Sequence, residues 1–415
     1  MPIRIHYHDG RPRVTWDLHL VINIRIIYLI GILALPYLIW ELYWAGHVGY
    51  ACIKWHTHLA IYFYFGLATS LILELLVKRP ASWQLAVASL CTSVMLAEGV
   101  LMLAGIGTTY SERMGYGYSS IYSTKGESYY RTRVPGSVFW FDRSEFRHEW
   151  HVNSMGYSDR EWPIAKKPGE KRILCLGDSW TEGIGAPQDS SYVSQLGRIL
   201  AAIDSNTYVM NAGIAADDPF VNYVNYRDRL IAYHPDVIIQ TLSGNDMTTD
   251  ILSKGGMERF GANGELHTAA GPAWEPLYAL SYVSRLVFHA IGYNALLQKA
   301  PTPETIKELN EKVVNLFSVY ASMASRQGTM LIVVIQASDH DYDFGPIITG
   351  LRQIHGLKVC DLQDYYNAEF SKRGSDPEKY YWPIDGHHTP RGYQLMARSI
   401  YHALDSFYLN PTASK

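Results

Sequence analysis

Residues 175–185, Cys-Leu-Gly-Asp-Ser-Trp-Thr-Glu-Gly-Ile-Gly, place one serine, Ser179, between a Gly-Asp pair and a glycine-dotted turn. A serine hydroxyl is a poor nucleophile until a base takes its proton. A histidine does this, and a carboxylate on its other nitrogen fixes the tautomer. Near the C terminus, Asp-Gly-His-His-Thr-Pro-Arg-Gly-Tyr at 385–393 supplies both groups, with Asp385 and His388 three apart on a turn. Acyl transfer also needs donors already in place for the developing oxyanion. The backbone N–H of Ser179 is one. Gly213, in Asn211-Ala212-Gly213, offers another N–H with no side chain in the way, and Asn245, in Gly244-Asn245-Asp246, offers a side-chain amide. Together these groups predict acyl chemistry through a covalent acyl-Ser179 intermediate.

The elements that must position these residues alternate in type. Apolar runs at Arg172–Leu176, Thr207–Met210, Val237–Leu242, Met330–Gln336 and Lys358–Asp361 read as buried strands. Amphipathic stretches at Ser191–Ile203, Val221–Tyr233, Glu304–Ser325 and Arg391–Phe407 read as helices. Short apolar strands alternating with helices call for a parallel sheet covered on both faces. Ser179, Gly213 and Asn245 then follow three strands, and sites in open α/β sheets lie at the carboxyl ends of strands. Residues 247–303 interrupt the alternation with a Gly-rich part, Gly255–Gly271, and an apolar helix-like part, Tyr278–Leu297; the insert reads as a cap or wall near the site.

The blocks Gly-Asp-Ser-Trp-Thr-Glu-Gly, Asn-Ala-Gly, Ser-Gly-Asn-Asp and Asp-Gly-His-His resemble, in order, those of the SGNH (GDSL) hydrolase family. The third departs slightly, since Gly244 directly precedes Asn245. The resemblance covers roughly residues 135–415, and Asn153–Pro163 is similar to the lead-in of many bacterial members. It implies a three-layer α/β/α flavodoxin-like sheet, with Ser179 as nucleophile and Ser179, Gly213 and Asn245 as oxyanion donors. It also implies His388 as base and Asp385 as its partner, because Asp-x-x-His spacing selects His388 over the adjoining His387. Trp180 and Tyr393 either line the acyl or sugar site or pack behind it. No metal or cofactor is expected. The glycines at 183 and 185 lack the G-x-G-x-x-G pattern, and Asp178 and Asp246 read as turn aspartates bonding nearby backbone.

The first quarter has another character. Apolar runs at 20–43, 59–77 and 83–106 are each long enough to cross a hydrocarbon core of about 30 Å at about 1.5 Å per residue. The first is too long for a cleaved signal peptide and carries Pro36. Arg4, Arg11 and Arg13 precede the first run and Lys78-Arg79 follow the second, whereas the loop between those two runs carries only Lys54. The positive-inside bias puts the tail and the Lys78-Arg79 loop in the cytoplasm. Arg113, Lys125, Arg131 and Arg133 argue mildly the other way. The expected organisation is a cytoplasmic tail (1–19), a three-helix transmembrane region (20–107), a linker (108–134) and an extracytoplasmic catalytic domain (135–415) in the plasma (inner) membrane. Arg25 and Glu74 would lie near one interface and pair or snorkel, while Glu98 has no partner at its depth.

The formal net charge of −3 gives no basic patch for nucleic acid. The cysteines at 52, 91, 175 and 360 lack the spacing of a zinc site or disulfide framework. The 31 Tyr and 11 Trp suit membrane interfaces and sugar surfaces alike, so they do not choose between them. The expectation is a membrane-anchored serine ester hydrolase or O-acyltransferase acting on an acylated cell-envelope glycan or other ester. The other class is a non-catalytic glycan-binding or assembly subunit whose helices dock a membrane-protein partner. Gly66, Ser70, Ser89, Thr92 and Ser93 permit such packing, but a binding module needs no activated serine.

Overall fold

The computed structural model describes residues 4–8, 11–15, 90, 93–94, 96–107, 132–261, 277–278, 281–291, 301–336, 342–374 and 376–405. The chain divides into two compact units, Met1–Thr108 with Pro276–Ala290, and Thr109–Glu275 with Ile291–Lys415.

The second unit is built on five parallel strands: β5 (Lys171–Leu176), β6 (Thr207–Asn211), β7 (Val237–Leu242), β8 (Met330–Ile335) and β9 (Leu357–Asp361). Their order is β6-β5-β7-β8-β9. This is the doubly wound arrangement in which the chain reverses direction between the first and third strands, here β5 and β7, and opens a crevice at their carboxyl ends. Ile173 pairs with Val209 on one side and Val237 on the other, which fixes the register at the centre.

Alternate side chains of each strand feed opposite faces. Ile173 and Cys175 pack with Leu196 and Leu200 of α2 (Tyr192–Ile203), Tyr366 of α7 (Gln363–Phe370) and Met396 and Ile400 of α8 (Pro390–Leu404). Leu174 and Leu176 pack with Val224 of α3 (Pro219–Asp228), Phe317 of α5 (Pro303–Arg326) and Ile347 of α6 (Gly345–Arg352). The three layers are therefore set by strands that bury both faces. Helix starts are explicit: Asp218, Thr302 and Thr389 accept from backbone N–H groups of the first turn, each followed by proline. Capping by Asp218 starts α3 at Pro219, and the expected helix to Tyr233 instead breaks at Arg229 into a 3₁₀ turn, Leu230–Tyr233.

At the amino end of the sheet Arg172 is fully buried. Its guanidinium is 2.6 Å from Glu170 Oε1 and donates to the carbonyls of Ile164, Ala165 and Tyr233. A charge without water is tolerated when it is paired and hydrogen-bonded in this way. Ahead of the sheet, β3 (Val138–Asp142) and β4 (Arg147–His151) form an antiparallel hairpin. Its Phe141, Phe146 and Trp150 close over Ile184 and Trp382.

The first unit begins with an antiparallel pair, β1 (Arg4–His8) and β2 (Arg11–Thr15), separated in sequence by Asp9-Gly10. The runs at 20–43 and 59–77, with Arg25 and Glu74, lie outside the described residues, as does most of the 108–134 linker. Among the described residues no helix is long and apolar enough to cross a membrane. Residues 96–103 are helical, and α4 (Tyr282–Ala290) belongs to this unit. Of the stretch expected to be helical at Tyr278–Leu297, the described helix is Tyr282–Ala290, and it groups with the first unit. Glu98 also departs from expectation, because its carboxylate accepts from Ser281 Oγ, Tyr282 N and Val283 N at 2.7–3.0 Å.

Candidate active site

Where β5 ends, the chain must turn hard against β7. A Cβ on Gly177 would stand 2.0 Å from Thr241 Oγ1 and 2.3 Å from Thr181 Oγ1, so only glycine passes. Asp178 caps the following single helical turn, α1 (Ser179–Glu182), by accepting from Trp180 N at 2.9 Å. Gly183 ends that turn in the left-handed region at φ 100°. Ser179 is consequently the first residue of a rigid turn above the sheet, with its side chain partly exposed.

The histidine that meets it is His387. Its Nε2 lies 2.7 Å from Ser179 Oγ, and its Nδ1 is hydrogen-bonded to Asp385 Oδ1. This corrects the expectation of His388. His388 is buried, with Nε2 2.8 Å from the Tyr366 hydroxyl and Nδ1 3.2 Å from the Tyr380 carbonyl. The carbonyl only accepts, so Nδ1 carries the proton and Nε2 accepts from Tyr366 O–H. Burial pushes the His388 pKa down to about 3, which keeps the ring neutral. The physical reason is alternation: His388 pairs in an isolated bridge with Tyr381, and neighbours on extended chain point to opposite sides. One histidine faces the serine and the next faces the core.

The catalytic turn is tied down from three directions. Glu145, in the β3–β4 turn, accepts from Asp385 N at 2.7 Å and Ile384 N at 3.0 Å. Trp382 Nε1 donates to Gly185 O at 2.7 Å, linking the turn to the nucleophile loop. Thr389 begins α8 immediately after the histidines.

Ser179, Gly213 and Asn245, the residues expected to supply oxyanion donors, follow β5, β6 and β7. A Cβ on Gly213 would be 2.3 Å from Glu182 N, so the β6 loop presses directly on α1. In this structure the Gly213 N–H donates to Asn211 Oδ1 at 3.0 Å. Asn245 is exposed at the start of a π-helical turn, Asp246–Ile251. Trp180 and Tyr393 are both buried and pack behind the site, the second of the two expected placements. Trp180 packs edge-on to His388 at 4.6 Å, and the Tyr393 hydroxyl donates to Ile184 O at 2.6 Å.

Several functional neighbours escaped the sequence reading. Glu182, buried three residues after the nucleophile, receives Arg133 at 2.8 and 2.9 Å and accepts from Ala215 N at 2.8 Å, fixing the loop beyond Gly213. Asp159 accepts from Asn211 N at 2.9 Å. A charged residue inside an otherwise buried block was the available signal for Glu182. Asp178 and Asp246 are bridged by Ser243 Oγ at 3.2 and 3.0 Å, and one hydroxyl proton cannot serve two carboxylates at once. Burial raises Asp178 to about 6, opposed by Trp180 N–H and the charge of His387. Burial, then the charge of Asp178, raises Asp246 well above the usual range. Burial thus holds both carboxyls above the usual carboxylate range.

A hydrogen-bonded Ser-His-Asp line at the carboxyl edge of a doubly wound parallel sheet is the arrangement that serine acyl transfer requires. The GDSL-like Lipase/Acylhydrolase family matches residues 175–395, more than half of the chain, and the chain belongs to that family. A search of curated proteins finds no match. Among solved structures, a two-domain esterase active on acetylated mannans is similar at 16% identity, with 57% of this chain and 49% of that one covered, and a TM-score of 0.37. The chain thus spans about half the length of that relative. An acetyl xylan esterase gives 14%, 56% and 99%, and 0.34. A GDSL-like lipase from Parabacteroides merdae ATCC 43184 gives 16%, 58% and 98%, and 0.35.

Proposed function

We propose that the protein is a membrane-anchored serine esterase that removes short acyl groups from an extracytoplasmic, cell-envelope glycan, and that transfer to a second hydroxyl is open to the same intermediate. The observation that carries the chemistry is the Asp385–His387–Ser179 line, with contacts fit for proton transfer. His387 Nε2 takes the Ser179 proton as Oγ attacks the ester carbonyl. The carbonyl π electrons move to oxygen, and the oxyanion is met by the Ser179 N–H, the Asn245 amide and the Gly213 N–H once it turns from Asn211 Oδ1. Asp385 holds the Nδ1 proton. The imidazolium then protonates the departing alkoxide, leaving acyl-Ser179. Water, or a glycan hydroxyl, repeats the sequence with His387 as base and restores the serine.

The anchored, outward-facing reading rests on the apolar runs and the basic residues at their cytoplasmic ends. A fluorophosphonate probe on detergent-purified protein, read by peptide mass spectrometry, tests the nucleophile. The label is expected on Ser179 and is expected to vanish in Ser179→Ala and His387→Ala. Folded protein that takes no label would sink the proposal. Acetylated mannan and xylan, the polymers named for two of the structures above, are the first substrates to try, with acetate release compared against transfer to glycan.

A further inference from the structure

The first unit buries what soluble proteins expose and exposes what they bury. Glu98 is 2% exposed and Arg285 0%, whereas Leu103 is 86% and Leu96 66% exposed, with Leu90, Val100, Leu286 and Val287 also outward. The buried charges are answered within the protein. Glu98 receives the first N–H groups of α4 together with the Ser281 hydroxyl. Arg285 donates to the carbonyls of Tyr278 and Gly107 at 2.9 and 3.1 Å, and its guanidinium lies over the rings of Tyr278 and Tyr282. In water this distribution is unfavourable on both counts. Hydrocarbon demands it, because every polar group must be satisfied internally while aliphatic side chains face the lipid.

We infer that α4 is a second membrane contact of this chain, seated among acyl chains and held there by Glu98. The occupant of the outward face is lipid, because Leu90, Leu96, Val100 and Leu103 belong to the apolar run 83–106, whose length matches a bilayer crossing, and Leu286 and Val287 add to it from the helix that Glu98 caps. α4 has nine residues, about 14 Å at about 1.5 Å each, so it enters without crossing. The chain of the hydrolase unit leaves at Glu275 and resumes at Ile291, so it is tethered at this insert as well as at residue 108. Glu98 is accordingly the cap of an intruding helix.

The inference rests on the reading of the apolar runs as membrane spans, and the experiment separates the two. Cys52→Ser and Cys91→Ser leave the buried Cys175 and Cys360. On that background Val287→Cys, Ala68→Cys and Ser325→Cys each take a bimane label in the full chain reconstituted into nanodiscs containing a doxyl lipid. The expected result is blue-shifted, lipid-quenched emission at 287 and at 68, within the second run, and water-like emission at 325. Quenching at 68 with water-like, iodide-quenched emission at 287 overturns the inference alone, leaving that face for a protein partner. Water-like emission at both overturns the membrane reading too. Glu98→Ala, which removes the cap, is expected to lose the shift at 287 and keep it at 68; an unchanged signal at 287 overturns the clamp.

Discussion

His387 and His388 adjoin in sequence and differ completely in surroundings, so paired substitutions make a sharp test. His387→Ala removes the group 2.7 Å from Ser179 Oγ. Loss of a general base costs about 10²–10⁴ in kcat, equivalent to about 3–5 kcal/mol at about 1.4 kcal/mol per tenfold. His388→Gln keeps an acceptor for Tyr366 and removes one of two donors to the Tyr380 carbonyl, which still receives the Thr389 N–H at 3.0 Å. Loss of one hydrogen bond costs about 0.5–1.5 kcal/mol of stability, so Tm falls while kcat of the folded fraction stays within about tenfold of wild type. Acid stability supplies a second readout. The unfolded chain protonates His388 below about 6.5, while the folded chain resists until about 3, so His388 costs stability as pH falls through that window. Asp178, raised to about 6, opposes this in the upper part of the window, because its folded form takes the proton first. The measurement is therefore the difference in unfolding free energy between wild type and His388→Gln from pH 7 to 4. That difference should shrink by up to about 1.4 kcal/mol per pH unit. Turnover by initial rates on an acetyl ester and urea melts at each pH suffice. A folded His388→Gln that neither labels nor turns over, beside an active His387→Ala, would refute the assignment.

The positioning contacts and the sheet give further expectations. Glu145→Ala removes the acceptor of two backbone donors at the catalytic turn; kcat should fall about tenfold with KM and Tm little changed, and Glu145→Gln should recover part of it. Asn245→Ala removes the only side-chain oxyanion donor proposed and should cost about 10²–10³ in kcat with KM little changed, measured by steady-state kinetics. Arg172→Met leaves Glu170 buried without its partner; unfolding should become easier by about 3–5 kcal/mol, read by urea denaturation.

The central sheet was legible because its strands bury both faces. Val237–Leu242 is an unbroken buried run, and its position followed from that alone. Ser179, Gly213, Asn245 and Asp385 were legible because each stands just after an element boundary, where residue type is dictated by chemistry. The choice between His387 and His388 was not, since spacing along the chain says nothing of which way an extended segment turns its side chains. Glu145 acts across a separation of 240 residues, and no local pattern announces an acceptor for two backbone N–H groups. The insert was legible as carrying an apolar helix-like stretch, but apolar composition does not state what that stretch packs against. Which surface it meets depended on Glu98, 183 residues away from Ser281.

That last contact bears on how the protein can be taken apart. A fragment begun at residue 109 to free the hydrolase from its apolar start would still carry 276–290. Its Arg285 would lose the Gly107 carbonyl, and the opening N–H groups of α4 would lose their carboxylate. Leu286 and Val287 would then be displayed to water on a helix that has lost its cap, an invitation to clump rather than dissolve. A soluble version of the enzyme therefore requires two excisions, with a short polar bridge rejoining Glu275 to Ile291.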